Sequence, residues 1–195
     1  MYIYMIQRTQ QSGFSLIEVL IAFVILSITS LCAVGLQLET LRASQQAGFN
    51  TSAVALANEL AEKIRSNDAQ MKLSDGANLF SNISYDSRKD GALARPTMCY
   101  ATSANCTPVE LAKADIYEWL SSLKRELPAA RAVVCRDASP FDGSKGALTW
   151  SCTPGGQAGF VIKIGWLSKK PTREVSDSDE AASPQIAIPV EPYAR

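Results

Sequence analysis

The sequence predicts an α+β protein in which a long N-terminal helix packs on a small antiparallel β-sheet, with one additional short helix. Three observations support this fold class. The first half of the expected long helix is almost wholly apolar and the second half is amphipathic. A second amphipathic segment follows a helix-capping pattern, and short β-type runs separated by turn residues occupy the last part of the chain. The chain of 195 residues is long enough for one domain and its extensions.

The composition excludes several classes of function. The chain carries 19 Lys and Arg and 19 Asp and Glu residues, so its formal net charge is zero. A balanced charge predicts no nucleic-acid partner, because nucleic-acid binding depends on basic side chains at the phosphates. The sequence contains 0 His, which excludes the Ser-His-Asp and Cys-His catalytic sets and the histidine zinc motifs. We expect no enzymatic activity, no metal and no cofactor.

Residues 14–36 form a candidate membrane-spanning helix. They contain a single charged side chain, Glu18, and about 20 apolar residues are enough to cross a bilayer. A secretory signal peptide is the alternative, but its apolar region is typically ~7 to 15 residues long and ends in a small-residue cleavage site that is not evident here. The preceding residues carry one cation, Arg8, which weakly indicates that this end faces the cytoplasm.

Glu18 is the unusual residue of this segment. An acidic side chain in the apolar region costs roughly 2.5 to 3.5 kcal/mol on insertion scales unless it is paired or lies near the interface. Cleavage between Gly13 and Phe14 would create an α-amino group one helical turn before Glu18, and this group could also meet the Glu18 of a neighbouring copy. The alternative is that Glu18 reaches the headgroup level alone, and the residues by themselves leave both explanations open.

The helix is expected to continue through residues 37–66, since no proline interrupts the chain between Phe14 and Ser66. Its character changes there to amphipathic. The apolar positions follow a helical period: Phe49, Ala53, Leu56, Leu60 and Ile64. This second half therefore needs one apolar partner surface, which a β-sheet would supply.

Residues 67–195 are expected to form the globular head. It begins with residues 67–98, which are rich in Asn, Ser, Asp and Gly and predict an extended loop region. The run Thr107-Pro108-Val109-Glu110 is a capping box with proline at the first helical position, and it predicts a helix over residues 107–127. Apolar residues follow at helical spacing within it: Val109, Ala112, Ile116, Trp119, Leu120, Leu123 and Leu127.

Strands are predicted for the chain from about residue 131 to residue 190. Three β-type runs cover residues 131–137, 147–153 and 160–168, and short Gly-containing connections predict that they pair antiparallel. Residues 169–184 are polar and predict a mobile loop. A last short strand over residues 185–190 is expected at a sheet edge because of its prolines.

Five cysteines remain to be allocated. Cys32 lies within the apolar helix and is expected to act as a small hydrophobic residue. The other four allow three connectivities, from which we expect Cys99–Cys106, flanking a short step into the second helix, and Cys135–Cys152, on adjacent predicted strands. Such bonds persist in oxidising compartments, which indicates a head in a periplasm or outside the cell. A metal site is the alternative, but the sequence offers neither C-x-x-C spacing nor His.

The segment Gly13-Phe14-Ser15-Leu16-Ile17-Glu18, directly before an apolar helix, resembles the class III signal of type IV pilins and type II secretion pseudopilins. The resemblance implies the type IV pilin fold and cleavage after Gly13 by a prepilin peptidase. It also implies N-methylation of the new N-terminal residue, Phe14. Glu18 would then neutralise the amino group of an adjacent subunit during filament assembly.

The resemblance also implies a division of the chain into four segments. These are a leader peptide of residues 1–13, a transmembrane and assembly helix of residues 14–36, an amphipathic continuation of residues 37–66, and a periplasmic head of residues 67–195. The leader departs from the family in its apolar start, Tyr2-Ile3-Tyr4, and in having only one basic residue. These departures leave Met5 open as the true start.

A second set of residues resembles the PilV-type minor pilins, also called type IV pilus modification proteins. It comprises Cys106-Thr107-Pro108, Asp115-Ile116-Tyr117-Glu118-Trp119, Val133-Val134-Cys135 and Ile162-Lys163-Ile164-Gly165-Trp166. In that family, minor pilins initiate pilus assembly and cap the filament, supporting piliation, adhesion and twitching motility. The implied location is the inner membrane, with the head in the periplasm, and then the pilus at the cell surface.

The same resemblance implies the partners. They are a prepilin peptidase, other minor pilins, the major pilin and, before assembly, inner-membrane lipid, and whether the head contacts a tip adhesin stays open. The main alternative is a minor pseudopilin of a type II secretion system. A single-pass membrane protein with a ligand-binding head and an uncleaved N-terminus is a further alternative. An enzyme would have to use the clustered Asp177, Asp179 and Glu180, which are more typical of a solvated loop.

Overall fold

The computed structural model describes residue 13 and residues 15–101, 105–153, 158–167 and 183–191. The chain divides into two compact units, with the boundary after Gln45. Helix α1, Leu16–Ser66, contributes its apolar part to the first unit and its amphipathic part to the second. The prediction that one helix contains both parts is therefore confirmed.

The second unit contains a four-stranded antiparallel sheet and two further helices. In chain order the elements are α2 Asp68–Met71, a 3-10 turn Phe80–Asn82, β1 Ser84–Asp86, α3 Pro108–Glu126, β2 Arg131–Arg136, β3 Phe141–Asp142, β4 Ala147–Leu148, β5 Phe160–Gly165 and β6 Ile186–Val190. The spatial order of the sheet is β1-β2-β5-β6, and a separate hairpin is formed by β3 and β4.

Two sequence predictions about the head are wrong. Residues 67–98 are not an extended loop throughout, because they contain α2, the 3-10 turn and β1. The run 147–153 is not a strand of the main sheet: only Ala147–Leu148 is extended and paired, and its partner is β3. The carbonyls beyond β4 bond to a lysine side chain instead of a neighbouring strand. As a result β2 pairs directly with β5.

Other predicted elements are confirmed within one or two residues. The helix expected over residues 107–127 is α3, and its capping box is formed: the Thr107 backbone N–H donates to Glu110 Oε2 at 2.8 Å, and the Glu110 N–H donates to Thr107 Oγ1 at 3.3 Å. The strand expected over residues 185–190 is β6, which lies at the sheet edge. Most of the predicted polar loop, residues 168–182, lies outside the described residues.

One core joins α1, α3 and the inner face of the sheet. The α1 face that packs there is the one that the helical period indicated, extended by two alanines: Ala53, Leu56, Ala57, Leu60, Ala61 and Ile64 are all buried. Burying a Leu or Ile side chain fully contributes about 1.5–3 kcal/mol each. Of the apolar face expected in α3, Ala112, Trp119, Leu120 and Leu123 are buried, as is Leu127 just after the helix, whereas Ile116 is partly buried and Val109 is 42% exposed.

Polar contacts fix α3 against α1 within this unit. The indole Nε1 of Trp119 donates a hydrogen bond to the backbone carbonyl of Leu56 at 2.7 Å, and this bond is buried. At the rim of the core, Lys63 Nζ lies 2.9 Å from Asp115 Oδ1. A buried indole N–H needs an acceptor, so the Trp119 bond specifies how the two helices pack.

Replacement of Trp119 tests this contact. Trp119→Phe removes the indole donor, whereas Trp166→Phe removes an equally buried indole whose Nε1 has no hydrogen-bond partner among the described residues. We expect Trp119→Phe to lower the free energy of unfolding by about 1–2 kcal/mol more than Trp166→Phe does. Urea unfolding of the detergent-solubilised protein measures both. Equal losses would show that the hydrogen bond contributes nothing beyond packing.

A buried ion pair lies on the opposite face of β5. The Lys163 side chain is 0% exposed, and its Nζ contacts the carboxylate of Asp137. The same Nζ donates to the carbonyls of Thr149 at 2.7 Å and Ser151 at 2.6 Å. Asp137 Oδ1 accepts the Ser139 N–H at 2.9 Å, the Thr153 N–H at 3.3 Å and the Thr153 hydroxyl. We call these contacts the Lys163 network.

The Lys163 network makes the stability of the head depend on pH. Burial alone would raise the pKa of Asp137, but hydrogen bonds from Lys163, Thr153 and Ser139 outweigh it and lower the pKa from 3.8 to about 2. A carboxyl group with a depressed pKa stabilises the fold above its unfolded pKa and loses this contribution as pH falls through its folded pKa. This stabilisation is therefore complete above about pH 4 and is lost toward pH 2.

Acid titration of stability checks this. We expect Asp137 to contribute about 2 kcal/mol to the fall in unfolding free energy between about pH 4.5 and pH 2. The variant Asp137→Asn should be less stable at the upper pH and should show a correspondingly smaller fall. Urea unfolding across this pH range measures the difference. An identical pH dependence in wild type and variant would contradict the assignment to Asp137.

Candidate assembly segment

The start of α1 places Glu18 in the first helical turn. The carbonyl of Ser15 accepts the backbone N–H of Glu18 at 3.0 Å and that of Val19 at 3.3 Å. The first turn has free N–H groups and the positive end of the helix dipole, both of which favour a negative side chain. Gly13 is exposed. Phe14, the predicted methylation site, lies outside the described residues, so the predicted cleavage bond is described on its Gly13 side only.

The α1 residues that follow are apolar and exposed on all sides. Seven large side chains between positions 19 and 26 are each between 44% and 65% exposed: Val19, Leu20, Ile21, Phe23, Val24, Ile25 and Leu26. Such closely spaced positions cover the whole circumference of a helix. The most apolar 18-residue window has a mean hydropathy of 2.6 and is 0% buried. By length and composition, α1 can cross a membrane.

The hydroxyl groups of this segment bond to its own backbone. Ser27 Oγ donates to the Val24 carbonyl at 2.8 Å, and Thr29 and Ser30 donate to the Leu26 carbonyl at 2.9 Å and 2.8 Å. These bonds satisfy the hydroxyl donors inside the helix, which an apolar environment requires. The segment can therefore be surrounded by lipid or by other apolar helices without leaving these donors unpaired.

The Glu18 carboxylate differs from these hydroxyl groups, because it is not paired within the described part of the helix. It borders a shallow, mainly apolar groove on the helix surface, formed by Val19, Ala22, Phe23 and Leu26. Among the described residues, no cation forms an ion pair with its carboxylate. The geometry leaves the carboxylate accessible to a positively charged group from outside the helix.

The cysteines in the head form two disulfides. Cys99 is bonded to Cys106 and Cys135 to Cys152, with Cα–Cα distances of 6.0 Å and 6.2 Å. These are the two pairs that the sequence indicated, although the expected strand around Cys152 is absent. Cys32 is unpaired and exposed on α1.

Sequence reasoning did not single out Lys163 and Asp137. The available signal was a lysine in the centre of the apolar run Phe160–Gly165, where a charge needs a buried partner. Among the described residues, no group of three or more His, Cys, Asp or Glu side chains could hold a metal ion. The acidic cluster Asp177, Asp179 and Glu180 lies outside the described residues.

Two family models match the chain. The prokaryotic N-terminal methylation motif matches residues 8–31, which include Gly13, Phe14 and Glu18. A family described as type IV pilin Tt1218 matches residues 35–117, from the end of the apolar segment to the middle of α3. No curated protein and no solved structure matches the chain.

The matches agree with the architecture. A long N-terminal apolar helix, a small antiparallel sheet and an extra helix constitute the type IV pilin α+β fold, and the methylation motif lies where that helix begins. The chain is therefore type IV pilin-like in both its family matches and its architecture. The strands from β2 onward lie beyond the matched residues.

A charge placed in the apolar segment tests its membrane affinity. Leu26 and Leu41 are both 61% exposed on α1, but only Leu26 lies within the expected span. We expect Leu26→Lys to raise the apparent free energy of insertion by about 3 kcal/mol and Leu41→Lys to change it far less. A translocon insertion assay measures both values. Equal effects of the two substitutions would show that the span is placed wrongly.

Proposed function

We propose that the chain is a minor pilin that takes part in initiating type IV pilus assembly and forms part of the pilus tip complex. The observation that carries this proposal is Glu18. It is the one acidic side chain in the first turn of an exposed apolar helix, and it lies within the residues that match the methylation motif. A membrane anchor alone gains nothing from a carboxylate at this depth, whereas a filament subunit can use it for alignment.

The first step of the proposed function is processing. A prepilin peptidase removes residues 1–13 by cleaving after Gly13, and the exposed amino group of Phe14 is N-methylated. Residues 14–36 then anchor the subunit in the inner membrane, and the head lies in the periplasm. The two disulfides support this orientation, because such bonds persist in oxidising compartments.

The second step is transfer from lipid into a bundle of helices. The apolar side chains stay away from water in both environments, so the transfer loses little hydrophobic free energy. The Glu18 carboxylate gains a partner in the bundle, since the α-ammonium group of a neighbouring subunit can approach the open groove beside Val19 and Phe23. Pairing lowers the cost of holding this charge in an apolar environment and sets the register between neighbours.

The presence of Glu18 also supports a particular position of the subunit within the filament. In the PilV-type minor pilins, which the sequence resembles, a complex of minor pilins initiates and caps the filament. A subunit at the extreme tip has no neighbour ahead of it and does not need this Glu. The presence of Glu18 therefore favours an interior position in the tip complex, in contact with other minor pilins and the major pilin. Piliation, adhesion and twitching motility would depend on the subunit.

The second candidate is a minor pseudopilin of a type II secretion system. It is favoured by the same Gly13-to-Glu18 segment, which both filament types use. A single-pass membrane protein with a ligand-binding head is a third candidate. Deletion of the chain in its own organism separates the two filament types: loss of surface pili and twitching supports the pilus, and loss of protein secretion with normal piliation supports the secretion filament.

Substitution of Glu18 tests the assembly step. Glu18→Gln keeps the side-chain shape and removes the charge, and Glu39→Gln is a matched control on the same helix, where Glu39 pairs with Arg42 at 3.0 Å. We expect Glu18→Gln to insert normally and to lose about tenfold in co-purification with partner pilins, which corresponds to the loss of one charge-assisted contact. The Glu39→Gln variant should behave as wild type. Equal recovery of all three chains would refute the role of Glu18.

A further inference from the structure

The segment around Cys152 is anchored on both sides by contacts that do not involve its disulfide. On one side, the Ser151 carbonyl accepts a hydrogen bond from Lys163 Nζ at 2.6 Å. On the other side, the Thr153 N–H and hydroxyl donate to Asp137 Oδ1, and the Thr153 carbonyl accepts the Ala138 N–H at 3.2 Å. Cys152 therefore lies between two residues that the Lys163 network already fixes.

The partner cysteine is fixed by the sheet. Cys135 lies on β2 opposite Val161 of β5, and Val133 lies opposite Lys163 in the same register. Cross-strand partners and alternate residues share one face of a sheet, so Cys135 and Lys163 lie on the same outward face. Lys163, which helps to orient Cys152, therefore lies on the same face of the sheet as Cys135, to which Cys152 is bonded.

From this arrangement we infer that Lys163 and Asp137 are positioning residues for formation of the Cys135–Cys152 disulfide. The Lys163 network docks residues 149–153 on the outer face of β5 before any covalent bond exists. The two thiols are then held at bonding distance, and the disulfide closes on a segment that is already in place. Proximity of this kind accelerates ring closure because the entropy of alignment is lost beforehand.

The chemistry requires a disulfide oxidant, for which oxidised glutathione serves as the probe. The Cys152 thiolate attacks one glutathione sulfur, which forms a mixed disulfide and releases one glutathione thiolate. The Cys135 thiolate then attacks the Cys152 sulfur, forms the protein disulfide and releases the second glutathione thiolate. Two thiols lose two electrons and two protons, and one oxidised glutathione becomes two reduced molecules. The network acts on the second, intramolecular step.

The oxidant has access to the site. Cys152 is exposed, and a surface cleft of about 230 Å³ is lined by both cysteines, Arg136, and residues of the 75–82 segment. Arg136 is turned toward Asp75, with Nε 2.7 Å from the carboxylate. Attack by the more exposed Cys152 comes first, and the half-buried Cys135 completes the bond.

The test measures ring closure in the full-length protein in detergent. The protein is reduced without denaturant, oxidised glutathione is added, and samples are alkylated over time and analysed by peptide mass spectrometry. We expect Lys163→Met to accumulate the glutathione adduct and to form Cys135–Cys152 at least about tenfold more slowly than wild type. The control Lys145→Met, which replaces an exposed lysine in the turn between β3 and β4, should match wild type. Formation of Cys99–Cys106 is the internal control and should be unchanged.

Closure of Cys135–Cys152 at the wild-type rate in Lys163→Met would overturn the inference. A second experiment tests the inference even if Lys163→Met does not fold. Its variant keeps the Lys163–Asp137 ion pair and removes the disulfide. In the double variant Cys135→Ser, Cys152→Ser, the Ala138 amide should keep its protection from hydrogen exchange to within about tenfold of wild type. Loss of that protection would show that the disulfide docks the segment, and the inference would fail.

Discussion

Burial of one face of α1 is the interaction on which the second unit depends. The six residues from Ala53 to Ile64 that face the core contact a single cluster that includes α3 and the inner face of the sheet. Alanine at three of these positions lets neighbouring elements approach closely, and leucine and isoleucine at the other three supply the apolar area. The Trp119 bond to the Leu56 carbonyl then fixes the angle of α3. Removal of this helix face would expose apolar side chains of the cluster that α3 and the sheet share with it.

The apolar part of α1 differs from its amphipathic part, because its side chains are exposed and do not pack in the core. Its large side chains have no partner among the described residues, and its serine and threonine hydroxyls are satisfied by their own helix. The Glu18 carboxylate in this segment has no ion-pair partner among the described residues. The same helix thus contains a face that packs in the core of the head and an exposed apolar segment that is long enough to cross a membrane. This division is what a subunit requires if it is stored in a membrane and later assembled.

Much of this could be predicted from the sequence, because the decisive signals are local. The α1 core face, the capping box at Thr107 and the edge strand β6 each follow from spacing or from a short motif. The three-residue strand β1 could not be predicted, since only Tyr85 in it is buried and no alternation develops. The local pattern predicts a strand over residues 147–153, but the Thr149 and Ser151 carbonyls bond to Lys163, a contact between residues more than ten positions apart that no local pattern records. Glu18 can be recognised as a candidate site from the sequence because a lone charge in an apolar helix is visible without any tertiary information.

The most direct test of the central claim is the mass of the mature N-terminus. The protein is extracted from membranes of cells that do or do not express a prepilin peptidase, and its intact mass and N-terminal peptide are determined. The account predicts a chain that begins with N-methylated Phe14 only when the peptidase is present. A chain that retains residues before Gly13 under both conditions would contradict it, because Glu18 would then lack the amino group that the proposed assembly step requires.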